Sequence, residues 1–186
     1  MSIKYAILGL LSWKPLTGYD IKKLMEASSI LYWSGNNNQI YKSLVQLHEE
    51  YLVTTEVQHQ QSAPSRKIYT ITDIGLSSLK AWTLSSPEAP EFKKAFFIQL
   101  AWSHMLSDEE TDQLLAEYEN ELQLQLAYQR EKHARRTGYP DRNQRETLLW
   151  NMMVQNVIAS CENELRWVAS VHQALNELKE KGAEES

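Results

Sequence analysis

The sequence is poor in several residue types whose abundance would mark a particular class of protein. It contains one cysteine, Cys161, among 186 residues, which excludes a disulfide framework and a multi-cysteine zinc site within one chain. Glycine (6) and proline (5) are scarce, so a mostly helical chain with few turns is favoured. No apolar run approaches the roughly 18 residues that a membrane-spanning helix needs. The brief apolar stretch at the N-terminus lacks a small-residue cleavage site, so we expect a cytoplasmic protein that does not contact the membrane.

Motifs for catalysis and for cofactor binding are also absent. The sequence contains no GxSxG, no P-loop and no GxGxxG. Its five histidines are scattered and do not show the HExxH spacing of a zinc enzyme. We therefore predict that the protein is not an enzyme and holds neither a cofactor nor a metal.

The charge is distributed unevenly along the chain, although the net charge of −5 is modest. Residues 1–82 hold 8 Lys or Arg and 6 Asp or Glu, a difference of +2. Residues 83–186 hold 11 and 18, a difference of −7. This shift is compatible with a DNA-binding head carried on an acidic, solubilising body.

Hydrophobic periodicity predicts three helices near the N-terminus. Apolar residues recur at helical spacing in residues 3–11, about 18–27 and about 37–50. Thr17 followed by Asp20 has the pattern of a capping box, which predicts that the second helix begins directly after Thr17.

The pattern then changes to that of a β-hairpin. LVTTEVQ and RKIYTIT alternate as strands do, with the polar turn HQQSAPS between them. Three helices followed by a hairpin is the order of a winged helix-turn-helix, so the predicted fold is mainly α with a small β-hairpin wing. The stretch SSPEAPE contains two prolines and marks a linker. The predicted organisation is a DNA-binding domain over 1–84, a linker over 85–91 and a helical domain over 92–182.

The C-terminal domain is predicted to be helical. Ser107 and Glu110 form a capping-box pattern ahead of a helix from 108 to about 136. A last helix runs from about 143 to 180, and its apolar residues recur at steps of three and four, close to the coiled-coil period. We expect this long helix to mediate dimerisation through Val154, Ile158, Cys161, Leu165, Val168, Val171 and Leu175.

An amide-rich segment at the start of the third predicted helix suggests contact with DNA. In a winged helix this helix enters the major groove, and the wing contacts phosphates. Asn and Gln carry both a donor and an acceptor, so they can read adenine. Asn is also a favoured N-cap, so one of the three asparagines is expected to cap the helix and the others are either base readers or spectators. The predicted DNA-binding residues are Asn36, Asn37, Asn38, Gln39, Tyr41, Lys42 and Ser43 on this helix and Arg66 and Lys67 on the wing.

Aromatic residues are a second candidate binding feature, because six tryptophans are many for this length. Such residues most often belong to a core or a dimer interface. They can also line a ligand pocket between two domains, where ligand sites are frequent. For an effector pocket of this kind the candidates are Tyr19, Trp33, Trp102 and Trp150.

Four N-terminal segments occur together in one order and at a recognisable spacing. KYAILGLL, LTGYDIKKLM, LYWSGNNNQIYKSLVQLHEEYLV and RKIYTITDIG are spread over residues 4–75. They resemble the PadR family of transcriptional regulators, and the helical C-terminal half is similar in layout to that of the longer, phenolic-acid-responsive or virulence-activating members. Lys42 stands where proline is common in the family, and Tyr51 stands where glycine is common. The positions that match its motifs are Gly18, Tyr19, Gln39, Ile40, Tyr41, Tyr69 and Thr72.

The resemblance implies a homodimer that binds a palindromic operator on double-stranded DNA through two winged-helix domains. It also implies dimerisation mainly through the C-terminal helices, repression of transcription, and release by a small aromatic effector. A protein-interaction or adaptor module is the alternative, since a winged-helix head can bind proteins rather than DNA.

Overall fold

The computed structural model describes residues 3–31, 38–60, 63–90, 93–135 and 142–184. Within these residues the chain is mainly helical with one small antiparallel sheet, which confirms the predicted fold class. No helix in these ranges meets the length and hydropathy that a bilayer-spanning segment requires. The elements are α1 (Ile3–Leu11), β1 (Leu16–Thr17), α2 (Gly18–Ala27), α3 (Asn38–Glu49), β2 (Val53–Gln60), β3 (Ala63–Ile71), α4 (Asp73–Thr83), α5 (Ala95–Ala101), a 3-10 turn (Ser103–Met105), α6 (Asp108–Arg135) and α7 (Gln144–Glu184).

The chain divides into two compact units. The N-terminal unit comprises Met1–Glu88 and Thr137–Thr147, and the C-terminal unit comprises Ala89–Arg136 and Leu148–Ser186. Within the N-terminal unit, the guanidinium of Arg142 donates to the Ser12 carbonyl oxygen at 3.3 Å and is paired with Glu146. The predicted linker over 85–91 stays a prediction, because residue 91 lies outside the described ranges.

The core of the N-terminal unit forms where the apolar faces of α1, α2 and α3 meet. Residues three and four apart share a face of a helix, so the apolar positions of each sequence pattern point to one side. The base of the sheet closes this core through Leu16, Val53 and Tyr69. The most completely buried side chains, at most 2% exposed, are Ile7, Leu8, Leu10, Leu11, Ile21, Met25, Leu44, Leu47 and Val53.

The sheet has three strands rather than the two of the predicted hairpin. β3 lies in the middle and pairs antiparallel with β2 and with the two-residue strand β1, where Leu16 lies opposite Tyr69. A strand of two residues shows no periodicity, so the sequence pattern gave no signal for β1. Thr17 then caps α2, and the predicted capping box with Asp20 is confirmed.

A hydrogen-bonded joint connects the end of α3 to the base of the wing. Tyr51 has a positive φ of 59°, and the Leu52 and Tyr51 amides donate to the Leu47 and His48 carbonyls, as in a Schellman motif. The Thr72 hydroxyl donates to the Tyr51 carbonyl at 2.8 Å and accepts from the Gly75 amide at 3.0 Å. One threonine therefore caps α4 and fixes the turn that leads into the wing.

The C-terminal unit consists of α5, α6 and α7. Its core cluster includes Phe96 of α5, Leu115 and Leu122 of α6 and Val168 of α7. The buried Glu164 accepts a hydrogen bond from the Tyr118 hydroxyl at 2.9 Å and forms an ion pair with Lys94. Burial and, secondarily, the hydrogen bond to Glu164 raise the pKa of Tyr118 to about 12, so its phenol is neutral at physiological pH.

Candidate nucleic-acid interface

The helix α3 has one buried face and one exposed face. Ile40, Leu44 and Leu47 lie in the core of the N-terminal unit. At 100° per residue the opposite face presents a mixture of amide, phenol, ammonium, apolar and carboxylate groups. These groups line a shallow depression formed by Asn38, Tyr41, Lys42, Val45, Gln46 and Glu49.

A larger groove lies between the start of α2, α3 and the wing. Its volume is about 630 Å³. Tyr41 from α3 lines it together with Arg66 and Lys67 from β3, so the fold brings predicted DNA-binding residues of the helix and of the wing to one groove. Its remaining lining comes from Thr17, Gly18, Tyr19, Asp20, Ser65 and Tyr69.

Two tyrosine rings that line this groove lie close to the ammonium groups of lysine side chains. The Lys23 ammonium lies 4.8 Å from the centroid of the Tyr19 ring, and a hydrogen bond with the Tyr19 side chain raises the pKa of Lys23. The Lys67 ammonium lies 5.7 Å from the centroid of the Tyr69 ring. Burial and, to a lesser extent, the neighbouring Tyr41 raise the pKa of Tyr69. Lysine side chains and phenol groups are therefore presented at the same place, and both side-chain types can donate hydrogen bonds to an anion.

One acidic group of the groove is already used within the helix cap. The Asp20 carboxylate accepts from the Thr17 hydroxyl at 2.7 Å and from the Thr17 amide at 3.3 Å. These bonds hold the negative charge against the N-terminus of α2, where the helix dipole stabilises it. The basic groups on the wing side are exposed to solvent by contrast.

The predicted DNA-binding residues fall into three groups. Asn38, Gln39, Tyr41 and Lys42 are exposed on α3, whereas Ser43 is half-buried on its flank. Arg66 and Lys67 are exposed on the wing. Asn36 and Asn37 lie outside the described residues, so the choice between capping and base reading is unchanged for them.

The residues predicted for an effector pocket do not all belong to one unit. Tyr19 is in the N-terminal unit, where it lines the groove beside the wing. Trp102 is 60% exposed after α5, and Trp150 is half-buried on α7, both in the C-terminal unit. Trp33 lies outside the described residues. The effector pocket stays a prediction.

The stripe predicted to mediate dimerisation is largely covered by helices of its own chain. Val154, Cys161 and Val168 are buried, and Ile158 is half-buried. Leu165, Val171 and Leu175 are half-buried around the cluster that contains Phe96. Burial raises the pKa of the Cys161 thiol, consistent with a packed apolar role. Other apolar residues of α7 are exposed, namely Leu148, Leu149, Met152, Met153 and Leu178.

Sequence reasoning missed one member of the exposed α3 face. Val45 is 52% exposed and lines the same depression as Asn38 and Lys42. The signal was its spacing, because Val45 follows Asn38 by two turns and so shares its face. An exposed methyl group of this kind can contact the C5 methyl of thymine.

Two protein-family models match the chain, one in its N-terminal part and one in its C-terminal part. Residues 7–81 match the transcriptional regulator PadR-like family. Residues 92–176 match the virulence activator alpha C-terminal family. The first match covers the winged helix, and the second covers most of the C-terminal unit.

Two known proteins are similar over most of the chain. The negative transcriptional regulator PadR of Bacillus subtilis is 34% identical over 134 residues, which cover 69% of this chain and 74% of that protein. Its crystal structure in complex with operator DNA superposes with a TM-score of 0.78 at 26% identity, over 90% of this chain and 96% of that one. A second structure, with p-coumaric acid, gives 0.75 at 24% identity over 94% and 98%. The Vibrio cholerae virulence activator AphA gives 0.71 at 27% identity over 95% and 99%. The chain belongs to the PadR-like family of transcriptional regulators.

Proposed function

We propose that this protein is a homodimeric repressor that binds a palindromic operator through its winged helices and is released by a small aromatic effector. The observation that carries the proposal is the groove at which the exposed face of α3 and the basic wing residues meet. The relative solved with operator DNA has the same fold over nine-tenths of this chain.

The exposed face of α3 suits the reading of base edges. Asn38 and Gln39 have amides that can pair with adenine, and Val45 offers methyl groups to thymine. Uncharged groups of this kind discriminate among bases, whereas cations raise the affinity for any DNA. We therefore assign sequence preference to α3.

The wing and the start of α2 suit the phosphate backbone. Arg66 and Lys67 supply positive charge, and the hydroxyls of Tyr19 and Tyr41 supply hydrogen-bond donors at the same groove. Such contacts fix the register of a protein on DNA without reading sequence. The affinity should then fall steeply as the salt concentration rises.

Titration of the purified protein with DNA from upstream of its own reading frame tests the proposal. Fluorescence anisotropy at several salt concentrations should show binding roughly 10³-fold tighter than to random DNA of equal length. Equal affinity for both DNAs at every salt concentration would instead favour the adaptor alternative.

Variants should separate the two kinds of contact. Arg66→Ala with Lys67→Ala should weaken binding to all sequences and lower the salt slope by about 2. Asn38→Ala should change the preferred sequence in a selection from random DNA, with about 1–3 kcal/mol lost at one position. Arg166→Ala with Lys181→Ala, which removes two charges from α7, is the matched control. Uniform weakening by Asn38→Ala would contradict this division.

Dimerisation is supported by apolar surface that the single chain leaves uncovered. In the C-terminal unit, Leu148, Leu149 and Met152 on α7 are each at least half exposed. Contiguous exposed apolar surface is typical of protein interfaces. Light scattering after size-exclusion chromatography should give the mass of two chains at micromolar concentration.

The effector is proposed from the relative that has been solved with p-coumaric acid. A ligand that binds the DNA-free form better must lower the affinity for operator by the same coupling factor. Addition of p-coumaric acid during the anisotropy titration should weaken operator binding, and benzoic acid is a smaller aromatic control. Unchanged affinity at saturating p-coumaric acid would remove this compound as the effector and leave the DNA-binding proposal intact.

A further inference from the structure

The backbone at the start of α2 lies so close to the Tyr41 ring that the residue at this position of α2 has no room for a side chain. Gly18 is the first residue of α2 and is buried. A Cβ atom at this position would lie 2.7 Å from Cε1 of Tyr41, nearer than non-bonded carbon atoms come. It would also lie 3.3 Å from Cδ1 of Leu44. The space that a glycine leaves is therefore occupied by the ring of a residue on α3.

The Tyr41 ring, which projects from α3, lies next to two other elements at this point. Gly18 borders it from α2, and Tyr69 is close enough on β3 for Tyr41 to affect the pKa of its phenol. Tyr69 is itself fixed, since it is 6% exposed and its strand pairs with β1 directly before Gly18. The outer side of the ring, by contrast, is open, because Tyr41 is 46% exposed and lines the groove.

We propose that Gly18 is a positioning residue of the DNA interface, whose missing side chain seats the Tyr41 ring against α2 and so sets where Tyr41 meets the phosphate backbone. The inference rests on the proposed DNA-binding function. In this arrangement Gly18 acts through the position of the Tyr41 ring. A methyl group at position 18 pushes the ring outward into the groove that the backbone would occupy.

The proposal separates the effect on binding from the effect on folding. Tyr41 is a half-exposed side chain that can rotate away from an added methyl group, so Gly18→Ala relieves the short contact by moving the ring. The helix also gains from alanine, which is the better helix former. Thermal stability should therefore change little, while the binding surface changes.

A double-mutant cycle in the full-length protein tests the inference. Gly18→Ala should weaken operator binding about tenfold, which corresponds to about 1.4 kcal/mol. In the Tyr41→Ala background, which removes the ring, the same substitution should change affinity by less than about twofold, since contacting residues are not additive. Gly9→Ala is the matched control, because a Cβ at Gly9 has no neighbour within 4 Å.

The possible results distinguish a failure of the proposed function from a failure of the inference about Gly18. Wild-type protein without preference for its operator would overturn the proposed function and this inference together. Specific binding with Gly18→Ala indistinguishable from Gly9→Ala would overturn the inference alone, as would an equal loss in both Tyr41 backgrounds. If Gly18→Ala lowers the melting temperature, Tyr41→Ala should restore it, and failure to restore it would also contradict the seating of the ring.

Discussion

The two units of this chain bury their apolar residues to very different extents. Among the described residues, 13 buried apolar side chains belong to the N-terminal unit and seven to the C-terminal unit. The N-terminal unit closes its core with short helices and a sheet that approach from several directions. The C-terminal unit consists mainly of α6 with 28 residues and α7 with 41 residues. An amphipathic helix of this kind buries only one stripe of its surface.

The difference indicates which unit is self-sufficient. Short elements that cross one another surround a core, so the winged helix can fold around its own side chains. A helix of 41 residues extends about 60 Å, and helices of the same chain cover only part of its apolar surface. The C-terminal unit is therefore the one that should depend on a second chain, and each prediction below perturbs one side of this comparison.

The largest effect is expected from an added methyl group at the joint of the N-terminal unit. A Cβ at Gly75 would lie 2.2 Å from the Leu52 carbonyl oxygen, which already accepts a hydrogen bond from the Thr72 amide. A backbone atom held in this way cannot move aside, so Gly75→Ala should lower the free energy of unfolding by roughly 3 kcal/mol or more. Urea denaturation followed by circular dichroism measures the change.

Gly9→Ala is the control for that substitution. It places the same methyl group inside α1, where no atom beyond the adjacent residues and the backbone of the helix itself lies within 4 Å. Because alanine is the better helix former, this variant should gain about 0.5–1 kcal/mol. A loss of similar size in both variants would show that the close approach at Gly75 is not what constrains the joint.

Gly18 and Gly75 show which features of the structure could be predicted from the sequence and which could not. Periodicity located the helices and the wing, because burial on one face of each element leaves a pattern along the chain. The contacts of Gly18 with Tyr41 and of Gly75 with Leu52 join residues more than twenty positions apart, and a glycine alone does not show what approaches it. The motif match placed Gly18 and Tyr41 in one family pattern, but the reason for the glycine required coordinates.

The buried and the exposed apolar residues of α7 illustrate a second limit of prediction from sequence. Its apolar stripe, with Val154 and Val168, follows helical periodicity, but periodicity does not identify the partner that covers this face. In the structure both residues are fully buried by the chain itself. The exposed set with Leu149 and Met152 falls outside that stripe and became visible only when the neighbours were known.

A charge on the exposed face of α7 should separate the chains without unfolding the winged helix. Leu149 and Met152 are 50% and 55% exposed. Leu149→Glu with Met152→Glu should weaken dimerisation by at least about 2 kcal/mol, since charges at an apolar interface lose their hydration. Sedimentation equilibrium gives the dissociation constant, and operator affinity should fall with it because two half-sites are no longer bound together.

The control for the charge itself is Ala169→Glu, which adds the same group at an exposed position of the same helix, about 30 Å beyond Leu149. It should leave the dissociation constant within about twofold, because surface substitutions usually change little. A double-glutamate variant that sediments like the wild type would mean that this face is not the interface. The C-terminal unit would then not depend on a second chain through this face.

The smallest effect is expected at the turn after α3, where one substitution should increase the stability of the N-terminal unit. Tyr51 has a φ of 59° and a side chain that is 76% exposed, so its ring contributes little packing while its Cβ strains the left-handed backbone. Tyr51→Gly should raise the free energy of unfolding by about 0.5–1 kcal/mol. Tyr51→Ala keeps the Cβ and should leave stability nearly unchanged, and Tyr51→Asn should fall between the two. Urea denaturation of the three variants measures the series, and a loss of stability on Tyr51→Gly would show that the exposed ring, rather than the turn, determines the choice of residue.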